Sequence, residues 1–404
     1  MTAPTTPARP SRAQHSWTFG DGEIRSLTGL RGCAAVMVML YHFVLNLPEG
    51  TLPARQILLN GYLWVDLFFI LSGFVMAYSQ TAPPAAGRPP ATYLSFLLTR
   101  FARIYPLYFV VLIETACLAL WRTETINTAG FIRTFVLNIF MVQAWGLAPS
   151  MEGAAWSIST EWGAYLVFPL LLAVTVQSRR SVAWISGAAA LLVINLLAFS
   201  PGPFTDSGQD RGGPLDIYSA ATIAPLLRCV AEFTLGLLAF RVTKAMVRLY
   251  GRWTGPAATA TMIAIMTAMC WPGLDVIIVV LFFLLLVLLA PQHGSMAKTL
   301  GTEIPYRLGQ WSYSIYLIHD KFSHPVKALH AKLVPILPAA GIITAVLTAS
   351  LVIGCSAITY TFVERPLRKL LLHLARTVSL RKTATTLRGP VVPVVMSKGL
   401  DASR

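Results

Sequence analysis

Ten apolar stretches recur along the chain, at roughly 30–47, 60–79, 100–121, 161–176, 183–199, 221–240, 257–272, 274–290, 309–329 and 339–362, separated by short polar connections. A run of about 20 apolar residues crosses the hydrocarbon of a bilayer as a helix, and apart from closed barrels no other structure satisfies its backbone there. The pattern predicts an all-α polytopic membrane protein of about ten transmembrane helices. Composition agrees, because only 12% of the 404 residues are charged and 55% are hydrophobic, whereas soluble domains run to about 25% charged. A mean hydropathy of +0.63 spreads that character over the whole chain. A soluble enzyme of ordinary composition, a disordered chain, a collagen and a disulfide scaffold are excluded. Cys33, Cys117, Cys229, Cys270 and Cys355 lie singly in or beside apolar runs, with no CxxC and no Cys/His cluster, so no metal site is expected.

Residues 1–24 are polar and rich in Pro, Thr and Arg, which predicts a disordered N-terminal tail. The first apolar stretch ends in Asn46-Leu47-Pro48-Glu49 without a small-residue cleavage site, so it reads as a retained helix. The run 131–148 is shorter and interrupted by Asn138, Gln143 and Pro149; it reads as an interfacial or re-entrant piece. Of the 32 Lys and Arg, 24 fall on the side of the N-terminus and 8 on the other. The positive-inside bias therefore places both termini in the cytoplasm, which an even number of spans satisfies. A net charge of +15 is explained by this bias and a basic C-terminal tail, 368–404, facing anionic lipid; no nucleic-acid partner is expected.

Ionisable side chains within spans face a cavity or a partner. Arg31 and His42 stand eleven residues apart on the first helix, which returns within about 20° of the same face and separates them by about 17 Å along the axis. Arg31 at a membrane mouth can fork onto phosphate, and His42, deeper, can accept a proton from a hydroxyl. The simpler reading has Arg31 reaching the headgroups and His42 bonded to a neighbouring helix. Asp66, alone in an apolar span beside Ser72 and Gly73, partners an Arg or His or supports packing. Ser159, Thr160 and Glu161 cap the fourth span, or Glu161 serves His42 or a sugar hydroxyl. Arg100 and Arg103 share a helix face, as polyanion ligands or as positive-inside anchors. Tyr316 and His319 share a face of the ninth span, where a satisfied core histidine is the simpler reading. No nucleotide-binding glycine loop, HExxH or GxSxG is present.

These segments, in order, resemble the acyltransferase-3 family of bacterial membrane O-acyltransferases. The matching pieces run from Ser26-Leu-Thr-Gly-Leu-Arg31-Gly32 to Tyr41-His42-Phe43, then Val65-Asp66-Leu-Phe-Phe-Ile-Leu-Ser72-Gly73-Phe74 and Arg100-Phe-Ala-Arg103-Ile-Tyr-Pro-Leu-Tyr108. Trp156-Ser157-Ile-Ser-Thr-Glu161, Ser312-Tyr-Ser-Ile-Tyr316-Leu-Ile-His319 and Val363-Glu-Arg-Pro366 complete the set. The resemblance implies a membrane acyltransferase domain over 25–367, in the bacterial plasma (inner) membrane. It implies transfer of an acyl group, often acetyl, from cytosolic acyl-CoA to a hydroxyl of an extracytoplasmic carbohydrate, glycolipid or related acceptor.

On that resemblance, Arg31, Arg100 and Arg103 hold the CoA phosphates, and His42 is general base or acyl-carrying nucleophile. Asp66 or Glu161 holds the His42 tautomer, and Trp156, Ser157, Tyr316 and His319 bind substrate. The family's second acidic residue after the Glu is here Trp162, and no hydrolase-like domain follows the last span. A multi-spanning transporter with a protonatable cavity and a non-enzymatic scaffold share the same composition.

Overall fold

The computed structural model describes residues 23–49, 55–81, 92–122, 127–200, 212–218, 222–246, 251–337 and 339–374. Most of both expected tails, 1–22 and 375–404, lies outside them. Among the described residues all regular structure is helical. The chain forms α1 (Arg25–Leu45), then a short α2 (Arg55–Leu59) that runs through a 3-10 turn into α3 (Trp64–Thr81), then α4 (Tyr93–Arg122) and α5 (Thr128–Ile139). It continues with α6 (Trp156–Leu172), α7 (Arg180–Phe199), α8 (Ala224–Met246), α9 (Thr254–Ala268), α10 (Asp275–Leu289), α11 (Gly294–Leu300), α12 (Glu303–Ile318), α13 (Ser323–Leu333) and α14 (Ala340–Thr359).

The expected stretches fall in helical regions, with 309–329 divided between α12, a 3-10 turn and α13, and six helical segments are long and apolar enough to cross a bilayer: α1, α2–α3, α4, α6, α7 and α14. The pair α10 and α11, bent by 92°, is a seventh if the two count as one broken span. Three expected spans miss that measure for physical reasons: α9 has 15 residues, α12 has 16, and α8 carries Arg228, Glu232, Arg241 and Lys244. Helix α8 tolerates its charges because it is central, with every residue from Ala231 to Ala239 buried. By contrast α7 and α14 turn Ile185, Leu192, Leu351 and Ile358 outward, as lipid-facing helices do. The molecule is a multi-pass membrane protein. Helix α5, of 12 residues, is too short to span; its Asn138 and, in the turns after it, Gln143 are buried.

Two helix crossings position the site. Helices α1 and α12 run parallel: Arg25 meets Glu303 at 3.2 Å, Arg31 donates to the Gly309 carbonyl at 2.8 Å, and the rings of His42 and His319 lie 4.5 Å apart. This closeness requires glycine, because a Cβ on Gly309 falls 1.9 Å from the Thr28 carbonyl oxygen. Helices α3 and α8 are also parallel and equally close at Gly73, where a Cβ meets the Phe233 carbonyl at 2.0 Å.

The second crossing is clamped by charge. Arg228 donates through Nε to Asp66 at 3.0 Å and through Nη2 to its other oxygen, with Nη1 3.3 Å from the Ile217 carbonyl. Glu232, one turn on, lies 3.4 Å from the same guanidinium. All three side chains are at most 1% exposed, so Asp66 is engaged by Arg228, the arginine alternative among its readings. Arg228→Met should leave two buried carboxyl groups without a counter-charge and cost about 3–5 kcal/mol. Arg228→Lys, which cannot fork, should lose a smaller part; thermal unfolding of the detergent-purified protein checks both.

Candidate active site

A cavity of about 100 Å³ opens between α1, α3, α4, α6 and α12, lined among others by Arg31, Ser72, Arg103, Ser157, Glu161 and Tyr316. Its polar groups come from all five helices, and the remaining lining is largely apolar, including Val65, Phe68, Phe69 and Val75. Glu161 accepts from the Tyr165 hydroxyl at 2.5 Å and from Ser72 Oγ. It stands inside α6, because the helix starts at Trp156 after a 3-10 turn, Gly153–Ala155. The capping role expected of Ser159 and Thr160 is therefore absent. Ser159 instead takes the Ala144 N–H and donates to the Met141 carbonyl, and Thr160 donates to the Ser157 carbonyl.

The cavity leads to two histidines. Ser157 Oγ and Tyr316 Oη are 2.7 Å apart, the Tyr316 ring is 5.9 Å from that of His319, and His42 lies 4.5 Å beyond. The Nδ1 of His42 is 2.9 Å from the Val38 carbonyl, and that of His319 is 3.2 Å from the Ile315 carbonyl. A carbonyl only accepts, so in each ring Nδ1 carries the hydrogen and Nε2 presents its lone pair. A backbone carbonyl thus fixes the His42 tautomer, the task expected of Asp66 or Glu161. His319 is fully buried and its Nε2 has no partner among the described residues; the satisfied core histidine is not what the fold contains.

Arginines gather at the opposite end. Arg31 is held only by the Gly309 carbonyl, its Nε unpartnered. Arg100 lies over the Phe96 ring at 5.7 Å, its Nε also unpartnered, and is outside the cavity lining. Among the described residues none of Arg31, Arg100 or Arg103 forms an ion pair. Trp156 lines no part of the cavity; its ring meets Phe69 edge-to-face and lies 5.7 Å from the Arg228 guanidinium carbon. Of the residues singled out in the sequence, Arg31, Arg103, Ser157, Glu161 and Tyr316 share the cavity, and His319 and His42 follow in line from it. Asp66 and Trp156 belong to the clamp behind.

The structure adds groups that spacing did not reveal. Tyr165, one turn after Glu161, is a partner readable from helix periodicity alone. Asp216, in the polar segment 212–218, accepts from the Tyr41 hydroxyl at 3.4 Å and from the Gly212 N–H at 3.0 Å. Burial raises its carboxyl from the ordinary range, opposed by the Gly212 N–H, Arg228, Tyr41 and the nearby His42. From the 3-10 turn after α12, Lys321 holds Glu114 of α4 at 2.7 Å and Glu152, just before α6, at 2.6 Å. Among the described residues no cluster of His, Cys, Asp or Glu is arranged to hold a metal.

The sequence model of the Acyltransferase domain family (Acyl_transf_3) matches residues 24–361, which hold every residue of the cavity and both histidines. The chain belongs to this acyltransferase family. It is thus an enzyme, which decides against the transporter and the scaffold. It is 27% identical over 371 residues to the acyltransferase MdmB of Streptomyces mycarofaciens, covering 86% of this chain and 92% of that one. Over 184 residues it is 24% identical to a putative peptidoglycan O-acetyltransferase, YrhL, of Bacillus subtilis, 42% of this chain but only 27% of that protein. A putative O-acetyltransferase of Staphylococcus aureus (strain COL) is 27% identical over 192 residues, 44% of this chain and 30% of that protein. No solved structure matches. Filling the cavity tests its role in this acyltransferase. Val75→Trp should abolish turnover at a stability cost of about 1–3 kcal/mol, and full turnover in a folded variant would put the chemistry elsewhere.

Proposed function

We propose that this membrane acyltransferase moves an acyl group, acetyl in the simplest case, from cytosolic acyl-CoA to a hydroxyl of an extracytoplasmic carbohydrate, glycolipid or related acceptor. The observation that carries the reading is the polarity of one helix face. Arg31, without a carboxylate ion-pair partner among the described residues, stands at one end of α1, and His42 lies about 17 Å further along it. An extended pantetheine arm covers such a distance, so phosphates held by Arg31, Arg100 and Arg103 deliver a thioester to the histidines. The ten helices matching the ten apolar stretches cross the bacterial plasma membrane with both termini cytoplasmic. The names of the Bacillus and Staphylococcus relatives support acetyl as the group moved.

His42, its Nε2 lone pair exposed by the Nδ1 bond to Val38, removes the proton of the acceptor hydroxyl as general base. The oxygen attacks the thioester carbonyl, the C–S bond breaks, and the proton on His42 passes to the departing sulfur, giving ester and free CoA. His319 accepts a hydrogen bond from the bound acceptor through its unpartnered Nε2. Tyr316, with Ser157 fixing its hydroxyl, donates to the developing oxyanion. Asp216 stabilises the transient imidazolium through space. Glu161, held by Ser72 and Tyr165, keeps the inner wall polar and sets the approach of the arm.

Free CoA released by the purified protein in nanodiscs is the test. His42→Ala should lower release by about 10²–10⁴-fold with CoA binding retained. Arg31→Ala should chiefly weaken CoA binding, by about ten- to a hundredfold for a lost charge-assisted bond. Near-normal release from His42→Ala would remove His42 from the chemistry, and unchanged CoA affinity in Arg31→Ala would remove the phosphate role.

A further inference from the structure

The expected boundary of the membrane domain at 367 is not where its last helix stops. Helix α14 passes through a π-helical turn, Tyr360–Glu364, and continues helically to Leu374. Glu364 is buried and accepts from Ser314 Oγ at 2.7 Å. That contact fixes this end of α14 beside Tyr313, which lines the cavity and donates to the Ile104 carbonyl of α4 at 2.5 Å. Arg368 follows Glu364 by four residues, so it stands on the same face one turn further out, half-buried.

Arg368 is close enough to Arg103 and to Arg100 for the three cations to repel one another. Among the described residues neither Arg368 nor the other three arginines of this mouth forms an ion pair. The carboxylates nearby are occupied by hydroxyls: Glu364 by Ser314, Glu161 by Ser72 and Tyr165, Glu23 by Thr28 and Tyr306. Four half-buried guanidinium groups without counter-ions need an anion of more than one charge centre. They also divide by depth. Arg31 and Arg103 line the cavity, whereas Arg100 and Arg368 stand outside its lining, Arg100 one turn before Arg103 on α4.

We propose that Arg368, with Arg100, forms a subsite for the 3′-phosphate on the adenosine end of the donor; this rests on acyl-CoA being the donor. The diphosphate is joined to the pantetheine arm and so meets the inner pair, Arg31 and Arg103. The ribose 3′-phosphate lies beyond it and meets the outer pair, where a guanidinium fork matches a dianionic phosphate.

The test compares binding of CoA and 3′-dephospho-CoA to the full chain in phosphatidylcholine nanodiscs by calorimetry. The wild type should bind CoA about ten- to a hundredfold more tightly. Arg368→Ala should lose that preference while keeping the wild-type affinity for 3′-dephospho-CoA, which also reports an intact fold. Arg368→Lys should recover part of the preference, and Arg365→Ala, exposed on the same helix, should leave it whole. Equal binding of the two nucleotides by the wild type would overturn the subsite, as would an Arg368→Ala variant that weakens both alike or neither. Phosphatidylglycerol in the nanodisc should leave CoA affinity unchanged; an Arg368-dependent loss would make this a lipid-phosphate site instead. Wild-type protein that binds neither nucleotide would refute acyl-CoA as donor, and the subsite with it.

Discussion

The site depends on how closely α1 and α12 lie. Lipid supplies no hydrophobic force to drive helices together, so association rests on van der Waals packing and on hydrogen bonds between helices. Gly32 and Gly309 remove the side chains that would hold the two backbones apart. Arg31 then bonds directly to the Gly309 carbonyl. Because the helices run parallel, one register carries the Arg25–Glu303 pair, the Arg31–Gly309 bond and the His42–His319 contact together. A slip of one residue would rotate either helix by about 100° relative to the other and separate the histidines from each other and from the arginines.

The rest of the cavity is held by a device of a different kind. Asp66, Arg228 and Glu232 are buried charges, which stabilise little by themselves but are costly to break. They fix α3 against α8 in the same register that Gly73 sets by contact. Two turns along α3 from Asp66, Ser72 meets Glu161 of α6. Clamp and cavity therefore share α3, and the charged centre lies behind the wall on which the reacting groups stand. Trp156 joins the two, its ring within 5.7 Å of the Arg228 guanidinium and its backbone next in chain to Ser157.

What could be read from the sequence follows from what a helix repeats. A spacing of eleven from Arg31 to His42 returns to one face, and a spacing of three from Tyr316 to His319 does the same, so both pairs were legible. Periodicity names a face but not the neighbour across it. Asp66 was visible as a charge within a span, but its pairing with Arg228, 162 residues away, was not. The start of α6 was misplaced because Ser159 and Thr160 look like caps, and the 3-10 turn that begins the helix before them has no comparable signature. Arg368 was hidden for the opposite reason: a basic residue after the last span is what the positive-inside bias supplies anyway. Asp216 lies in a polar connection, where nothing in the chain marks one carboxylate as inward-facing.

The distribution of hydrogen bonds at the arginine mouth bears on how the enzyme binds an anion without a standing obstacle. Had Glu161 paired with Arg31 or Arg103, a phosphate would have to break a half-buried ion pair before making its own, and the two costs would cancel much of the gain. The fold instead gives each carboxylate hydroxyl donors, from Ser, Thr and Tyr, which satisfy its lone pairs without neutralising the neighbouring guanidinium groups. The carboxylates still lower the repulsion among the arginines through space, so the cluster is tolerable when empty and unsaturated enough to attract a polyanion. At the far end of the same helix pair the logic inverts. There the Nδ1 of each histidine is bonded to a backbone carbonyl four residues earlier and not to a carboxylate. One pair of close parallel helices thus carries arginine at one end and the two histidines at the other.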